Sequence, residues 1–211
     1  MIAYIWKRIL SLFFPEGRIR THLYALSHED ILQEYGVGGI IETPYAYALL
    51  PFRNTITRTL IHDAKYTRNT TAKKLCGNLL YHAVTLVTDS TRPYLLIPIP
   101  TTKEHARARG GNHVEHMLLL GRGFTHNTRI TYIPTLLTRN GSRTPQAQIK
   151  NRVERFLNMR NAFTLTKPNV TKNKDVILVD DVTTTGATFM EATDVLLKAG
   201  ARSVTCIAIA H

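Results

Sequence analysis

The chain has 211 residues, enough for one α/β domain with an N-terminal attachment and too few for two large domains. Hydrophobic residues make up 44% of it, which allows a core and excludes a disordered-chain composition. The formal net charge of +12 favours polyanionic partners such as nucleic acid, phosphorylated small molecules or an anionic membrane surface, and fits equally a basic surface that serves solubility alone.

In chain order, the opening MIAYIWKRILSLFF is apolar but broken by Lys7 and Arg8, and no run reaches the ~20 residues of a spanning helix. It lacks a small-residue cleavage site, which argues against a signal peptide. Ile2, Ile5, Ile9 and Phe13 share one helical face, so an amphipathic helix is expected, resting on its own domain, a partner or a membrane surface. Pro15-Glu16-Gly17 is expected to end it, and residues 18–44 read as linker-like, with a break at Gly38-Gly39. Residues 53–87 are mainly helical, with Ile56, Leu60, Ile61 and Ala64 at helical spacing. Tyr94 to Pro100 is a buried strand closed by prolines, His113 to Leu120 a helix, and Arg129 to Leu137 another strand. Thr138 to Ala162 is polar and basic; it reads as a functional loop or as an exposed helix with solvated charges. Cys76 and Cys206 form no C-x-x-C pair, which excludes a cysteine-built zinc site and suits a reducing cytoplasm.

The C-terminal third is the most legible. Asp175 to Val179 is a continuous apolar strand of the kind parallel sheets require, with Asp180 and Asp181 at its carboxyl end. A turn over Thr183 to Thr188 leads into a helix, Phe189 to Lys198, with Phe189, Ala192, Val195 and Leu196 on one face and Gly200 as its cap. Ser203 to Ala210 is the final buried strand. Open α/β sheets bind ligands beyond the carboxyl ends of their strands, where this turn lies. Gly186 allows a tight bend, Thr184, Thr185 and Thr188 supply hydroxyl donors, and the helix that follows supplies free N–H groups and a positive dipole end. Carboxylates accept strongly from vicinal sugar hydroxyls. Acids for a ribose followed by a hydroxyl-rich turn for a phosphate describe a ribose 5-phosphate site. The plainer reading makes Asp180 a turn cap and the threonines helix caps, but two adjacent acids at a buried strand end are costly without a ligand or ion.

At Val176 to Thr188 the sequence resembles type I phosphoribosyltransferases: apolar strand, two acids, two residues, then a Thr-Gly-x-Thr type turn. Further segments resemble the ComF family (competence protein F, ComFC or GntX-like) over most of residues 45–211. They are Leu60 to Tyr66 with Lys65, Pro98-Ile99-Pro100 with Arg109 to His113, Gln146, Ile149, Glu154-Arg155 and Asn158 with Ala162-Phe163, and Leu12 to Pro15. The resemblance implies an α/β fold of the type I phosphoribosyltransferase kind, with a parallel sheet flanked by helices over residues 45–211. Residues 1–44 would be a cysteine-free counterpart of the family's N-terminal zinc module. It implies binding of phosphoribosyl pyrophosphate with Mg²⁺, the ion held mainly by the substrate and no metal site built by the protein alone. Asp180 and Asp181 would take the ribose hydroxyls and Thr184, Thr185, Gly186, Ala187 and Thr188 the 5-phosphate, with Val182 and Thr183 also among the substrate-binding residues. Lys65, Arg109 or Arg155 would neutralise departing pyrophosphate. Gln146, Lys150, Arg152, Arg155 and Asn158 would form a lid or a nucleic-acid surface. It also implies a role in DNA uptake and natural transformation, with single-stranded DNA and competence proteins as partners. Within this pattern Gly111 stands for the usual Phe and His113 for the usual Gln, and Thr184 replaces the acid that serves as base in purine-salvage relatives. A metal pair at His113 and His116 competes with a solvated helix face.

Overall fold

The computed structural model describes residues 15–124, 127–140 and 162–211. The N-terminal amphipathic segment and most of the basic segment, including Gln146, Lys150, Arg152, Arg155 and Asn158, lie outside the described residues.

Two helices come first, α1 (Pro15–Leu23) and α2 (His28–Tyr35), then β1 (Ile41–Glu42), β2 (Tyr47–Leu50), α3 (Thr55–Tyr66) and α4 (Thr70–Val87). Next come β3 (Tyr94–Pro98), α5 (Lys103–Arg109), α6 (His113–Leu120), β4 (Ile130–Tyr132), β5 (Leu137–Arg139) and β6 (Phe163–Leu165). The last unit is β7 (Asp175–Val182), α7 (Ala187–Lys198) and β8 (Ser203–Ala210). Six strands form one sheet in the order β1-β2-β8-β7-β3-β4, parallel except for β1. The expected α/β class, a largely parallel sheet flanked by helices, is what the structure shows.

β7 explains the layering. Successive strand side chains point to opposite faces. Ile177 and Val179 enter one core, with α1 to α4 and α6, while Val176 and Leu178 enter the other, with α7 and the β5–β6 ribbon. A parallel strand covered on both faces has no polar alternation, and all four of these side chains are fully buried.

Three expectations need correction. Residues 18–44 are not a linker: Ser27 and Asp30 form a capping box that starts α2, and Leu23 and Ile31 are fully buried in the first core. Pro15 to Gly17 lie at the start of α1 rather than ending a helix, as suits a residue with fixed φ and no N–H to satisfy. Residues 129–137 are two strands of different sheets, β4 beside β3 and β5 beside β6, parted by a turn at Pro134, which lacks a ladder donor. In addition, β7 runs to Val182, with Asp180 opposite Ala208 and Val182 opposite Ala210, so both acids lie within the strand.

The helix α1 and the turn after it are fastened through Asp63 on α3. Its carboxylate accepts from Arg20 Nε at 2.7 Å, Arg20 Nη2 at 3.0 Å and the Tyr24 hydroxyl at 2.7 Å, with His62 Nδ1 at 3.1 Å. Burial alone would push this carboxyl up, but the bonds from Arg20, Tyr24 and His62 outweigh it and hold it down at about 2. A lowered carboxyl stabilises the fold above its unfolded value near ~4, and that contribution is lost as pH falls. Asp63→Asn is expected to cost ~2 kcal/mol in denaturant unfolding at pH 7. The deficit should shrink as pH falls from 4 toward 2. Equal stability at pH 7 would remove the clamp from the account.

Candidate functional site

From the end of β3 the chain leaves through α5 and α6 toward β4, on the first-core face. From the end of β7 it leaves through α7 toward β8, on the opposite face. β3 and β7 are neighbours in the sheet, so their carboxyl ends flank the point where connections diverge, the place at which open α/β sheets bind ligands. The two acids and the threonine-rich bend stand at that point.

Asp181 is 2% exposed and its oxygens are committed within the protein. Oδ1 accepts from the Val182 amide at 2.8 Å. Oδ2 accepts from Lys65 Nζ at 2.6 Å and from His113 Nε2 at 3.0 Å. A carboxylate only accepts, so His113 must carry its hydrogen on Nε2, the tautomer assigned by this contact. His113 Nδ1 is buried and has no partner among the described residues. Burial would raise the Asp181 carboxyl, but the His113 hydrogen bond, and then the charges of His113 and Lys65, prevail and hold it well below the usual range.

Asp180 behaves in the opposite way. Its Oδ1 accepts from the Asp181 amide at 2.8 Å, and the residue is half-buried. Burial, reinforced by the neighbouring Asp181 charge, pushes its carboxyl well above the ordinary value. The two adjacent carboxyls are thus shifted in opposite directions, Asp181 by its internal partners and Asp180 by burial beside a negative neighbour.

Segments far apart in sequence bring the partners in. Asn54 caps α3, at whose last turn Lys65 sits. Gly110 ends α5 at φ 73°, and Asn112 then caps α6 and donates through Nδ2 to the Ile99 carbonyl at 3.0 Å. That bond hooks the start of α6 to the end of β3 and delivers His113, the first residue of α6, to Asp181. Arg109 is the last residue of α5, and its side chain lies outside what the structure describes. His113, which the sequence pairs with His116 as a possible metal site, is bonded to Asp181. The only sequence signal was a histidine directly after an asparagine cap.

The bend follows β7 directly. Thr183 is buried, its amide bonded to the Ala210 carbonyl at 3.0 Å, while Thr184 and Thr185 are exposed and Thr188 is half-buried. Gly186 is buried at φ 73° and ψ 0° and begins α7 without any side-chain cap. Ala187 N has only a long contact of 3.4 Å to Thr185 Oγ1. A helix start with uncapped amides and its positive dipole end is an anion site, and exposed hydroxyls stand beside it.

The donor atoms of His113, Asp180 and Asp181 lie within 4.8 Å of one another, a group that could hold a metal ion. Lys65 already shares the Asp181 oxygen, and imidazole is a poor ligand for Mg²⁺, which prefers oxygens and retains water. Of the three, Asp180 has the carboxylate that no lysine or histidine bonds among the described residues, and so is the one whose chemistry suits such an ion.

A model described as the phosphoribosyl transferase domain matches residues 135–211, from β5 through the bend to the final strand. Over these residues the chain is similar to phosphoribosyl transferase domains. It is 29% identical over 148 residues to the DNA utilization protein YhgH of Salmonella typhi and equally to that of Salmonella typhimurium, and 28% identical to that of Escherichia coli O157:H7. The match covers 69% of this chain and spans about 63% of the length of those relatives. Among solved structures it is similar to the allosteric regulatory enzyme of purine biosynthesis, at TM-score 0.46 and 17% identity over 70% of this chain and 30% of that one. It is also similar to the glutamine phosphoribosylpyrophosphate amidotransferase of B. subtilis, at TM-score 0.40 with the same identity and coverage. Among the described residues no helix is long and apolar enough to cross a membrane.

The raised carboxyl makes a prediction. An acid whose folded value is raised costs stability once pH exceeds its unfolded value near ~4. Asp180→Asn is therefore expected to raise the midpoint of thermal unfolding at pH 7, with the gain fading as pH falls to 4. Unchanged or lower stability at pH 7 would show that Asp180 is not a strained acid.

Proposed function

We propose that this protein is of the ComF type, binds phosphoribosyl pyrophosphate and acts as a phosphoribosyltransferase. The observation that carries the reading is the uncapped helix start at Gly186, lying immediately after a pair of acids whose carboxyls are held in opposite directions. The amides from Gly186 to Thr188, with the hydroxyls of Thr184, Thr185 and Thr188, would hold the 5-phosphate. Asp180, whose carboxylate has fewer internal partners than that of Asp181, would meet the ribose hydroxyls, donating to one when protonated and accepting from others when ionised. Asp181 would act through its partners, fixing Lys65 and His113 at the edge of the site. Lys65 then presents positive charge where pyrophosphate would leave C1 of the ribose. Mg²⁺ would supply charge neutralisation on the pyrophosphate oxygens when bound with the substrate, with Asp180 as its nearest fitting protein group. Arg109 and the basic segment with Gln146, Lys150, Arg152, Arg155 and Asn158 complete the proposal as pyrophosphate contact and lid. The absence of an acid at Thr184 argues against purine salvage.

A second reading is favoured by the name of the relatives, DNA utilization protein, and by the net charge of +12. In it the pocket serves binding or regulation in a protein that handles single-stranded DNA during natural transformation with competence partners. Both readings include a cytoplasmic location, which the free, buried thiols of Cys76 and Cys206 support.

Calorimetric titration with phosphoribosyl pyrophosphate and Mg²⁺, together with an assay of pyrophosphate release, tests the first reading. The wild type should bind, and Asp180→Asn combined with Asp181→Asn should weaken binding by about 100-fold, the loss of two charge-assisted contacts. Undiminished binding by the double variant sinks the assignment of the site. Binding without pyrophosphate release, alongside single-stranded DNA binding that falls steeply with salt, favours the second reading.

A further inference from the structure

The turn between β1 and β2 ends against the bend. Thr43 fixes this turn with its hydroxyl, which donates to the Ala46 carbonyl at 2.8 Å and accepts from the amides of Ala46 at 3.0 Å and Tyr45 at 3.4 Å. The Thr43 amide donates to the same Ala46 carbonyl at 2.9 Å, so the turn is closed by both backbone and side chain. β2 continues the sheet into β8, and β8 into β7, with Ala48 opposite Ala208 and Ala208 opposite Asp180. Tyr45 is therefore carried on the same rigid sheet as the acids.

The Tyr45 side chain lies directly on Gly186. A Cβ built at Gly186 would stand 2.5 Å from Tyr45 Cδ2, 2.7 Å from its Cβ and 2.9 Å from its Cγ. Glycine is thus required at 186 twice over, for a φ of 73° that side chains resist and for the space that Tyr45 fills. Yet Tyr45 remains 45% exposed, so it is not simply a core residue. Its inner side backs the glycine while the rest of it faces solvent.

We infer that Tyr45 is a positioning residue of the phosphate bend, a buttress that keeps Gly186 and the amides after it in the anion-binding arrangement. The inference rests on the reading of this bend as the 5-phosphate site. A glycine without a support visits many conformations. If only a fraction of molecules hold the competent bend, apparent affinity falls by that fraction. The effect should be confined to ligands that use the bend, and it should need the bulk of the ring rather than its hydroxyl.

The full chain is titrated calorimetrically with two probes, ribose 5-phosphate and magnesium pyrophosphate, as wild type, Tyr45→Ala and Tyr45→Phe. Tyr45→Ala is expected to weaken ribose 5-phosphate about tenfold, with pyrophosphate affinity and the thermal midpoint nearly unchanged. Tyr45→Phe should match the wild type with both probes. Unaltered ribose 5-phosphate affinity in Tyr45→Ala overturns the inference and leaves the phosphoribosyl reading intact. An equal loss of both probes with a lowered thermal midpoint also overturns it, since that is a general structural role. A wild type that binds no ribose 5-phosphate overturns the phosphoribosyl reading itself, and this inference with it. Gly186→Ala supplies an independent check: it should reduce ribose 5-phosphate affinity by a smaller factor in the Tyr45→Ala background than in the wild type, because the ring's share of its steric cost is gone while the Cβ of residue 45 remains. Equal factors in both backgrounds would show that the two residues act separately.

Discussion

A negative charge enclosed at the end of the central strand needs partners, and Asp181 finds three. Its own backbone supplies one through Val182, α3 supplies Lys65, and α6 supplies His113. An isolated carboxylate in such a place would protonate or unfold its surroundings. It holds Lys65 and His113 at the end of the strand, and its charge adds to the burial that raises the proton affinity of Asp180 beside it. Where positive charge is presented, and why helices from separate parts of the chain meet here, descend from that one carboxylate.

The framework around it has matching demands. α4 and α6 touch where Gly77 faces the backbone at Met117 and Gly121, so closely that a Cβ on Gly77 would collide with the Met117 carbonyl oxygen. This backbone contact sets the position of α6 and hence of His113. The Asp63 clamp holds α1 on the helix that carries Lys65. At the opposite end of the sheet Asp175, buried under Arg202 and Ser203, anchors the start of the strand that ends in the acids. Each support lies on an element bearing a site residue, so stability and site geometry share the same contacts.

The C-terminal unit was legible because its signals are local. The apolar run of β7, the acid pair, Gly186 and the helical face of Phe189, Ala192 and Leu196 lie within 25 consecutive residues and declare a strand, a bend and a helix in turn. The ComF resemblance likewise pointed to Lys65 and the segment around Asn112. The remainder depends on contacts the sequence does not order. His113 and Asp181 lie 68 positions apart, and no spacing rule links them. The helices over residues 15–35 are short, α1 is only weakly periodic, and the bonds that fix α1 and the turn after it reach Asp63, more than 30 positions away. Pro134 hides the change of sheet between β4 and β5 inside one apolar stretch. Tyr45 lay at the edge of a segment read as linker, and its contact with Gly186 spans most of the chain.

The central claim, that the bend beside the acids is a phosphate cradle, is tested most directly by amide chemical shifts. In ¹⁵N-labelled protein titrated with ribose 5-phosphate, the account predicts saturable downfield movement of the Gly186, Ala187 and Thr188 amide protons, as donors to an anion, and little change at Gly38 or Gly110. Saturable shifts confined to residues away from the end of β7, with the Gly186 amide unmoved, would contradict it.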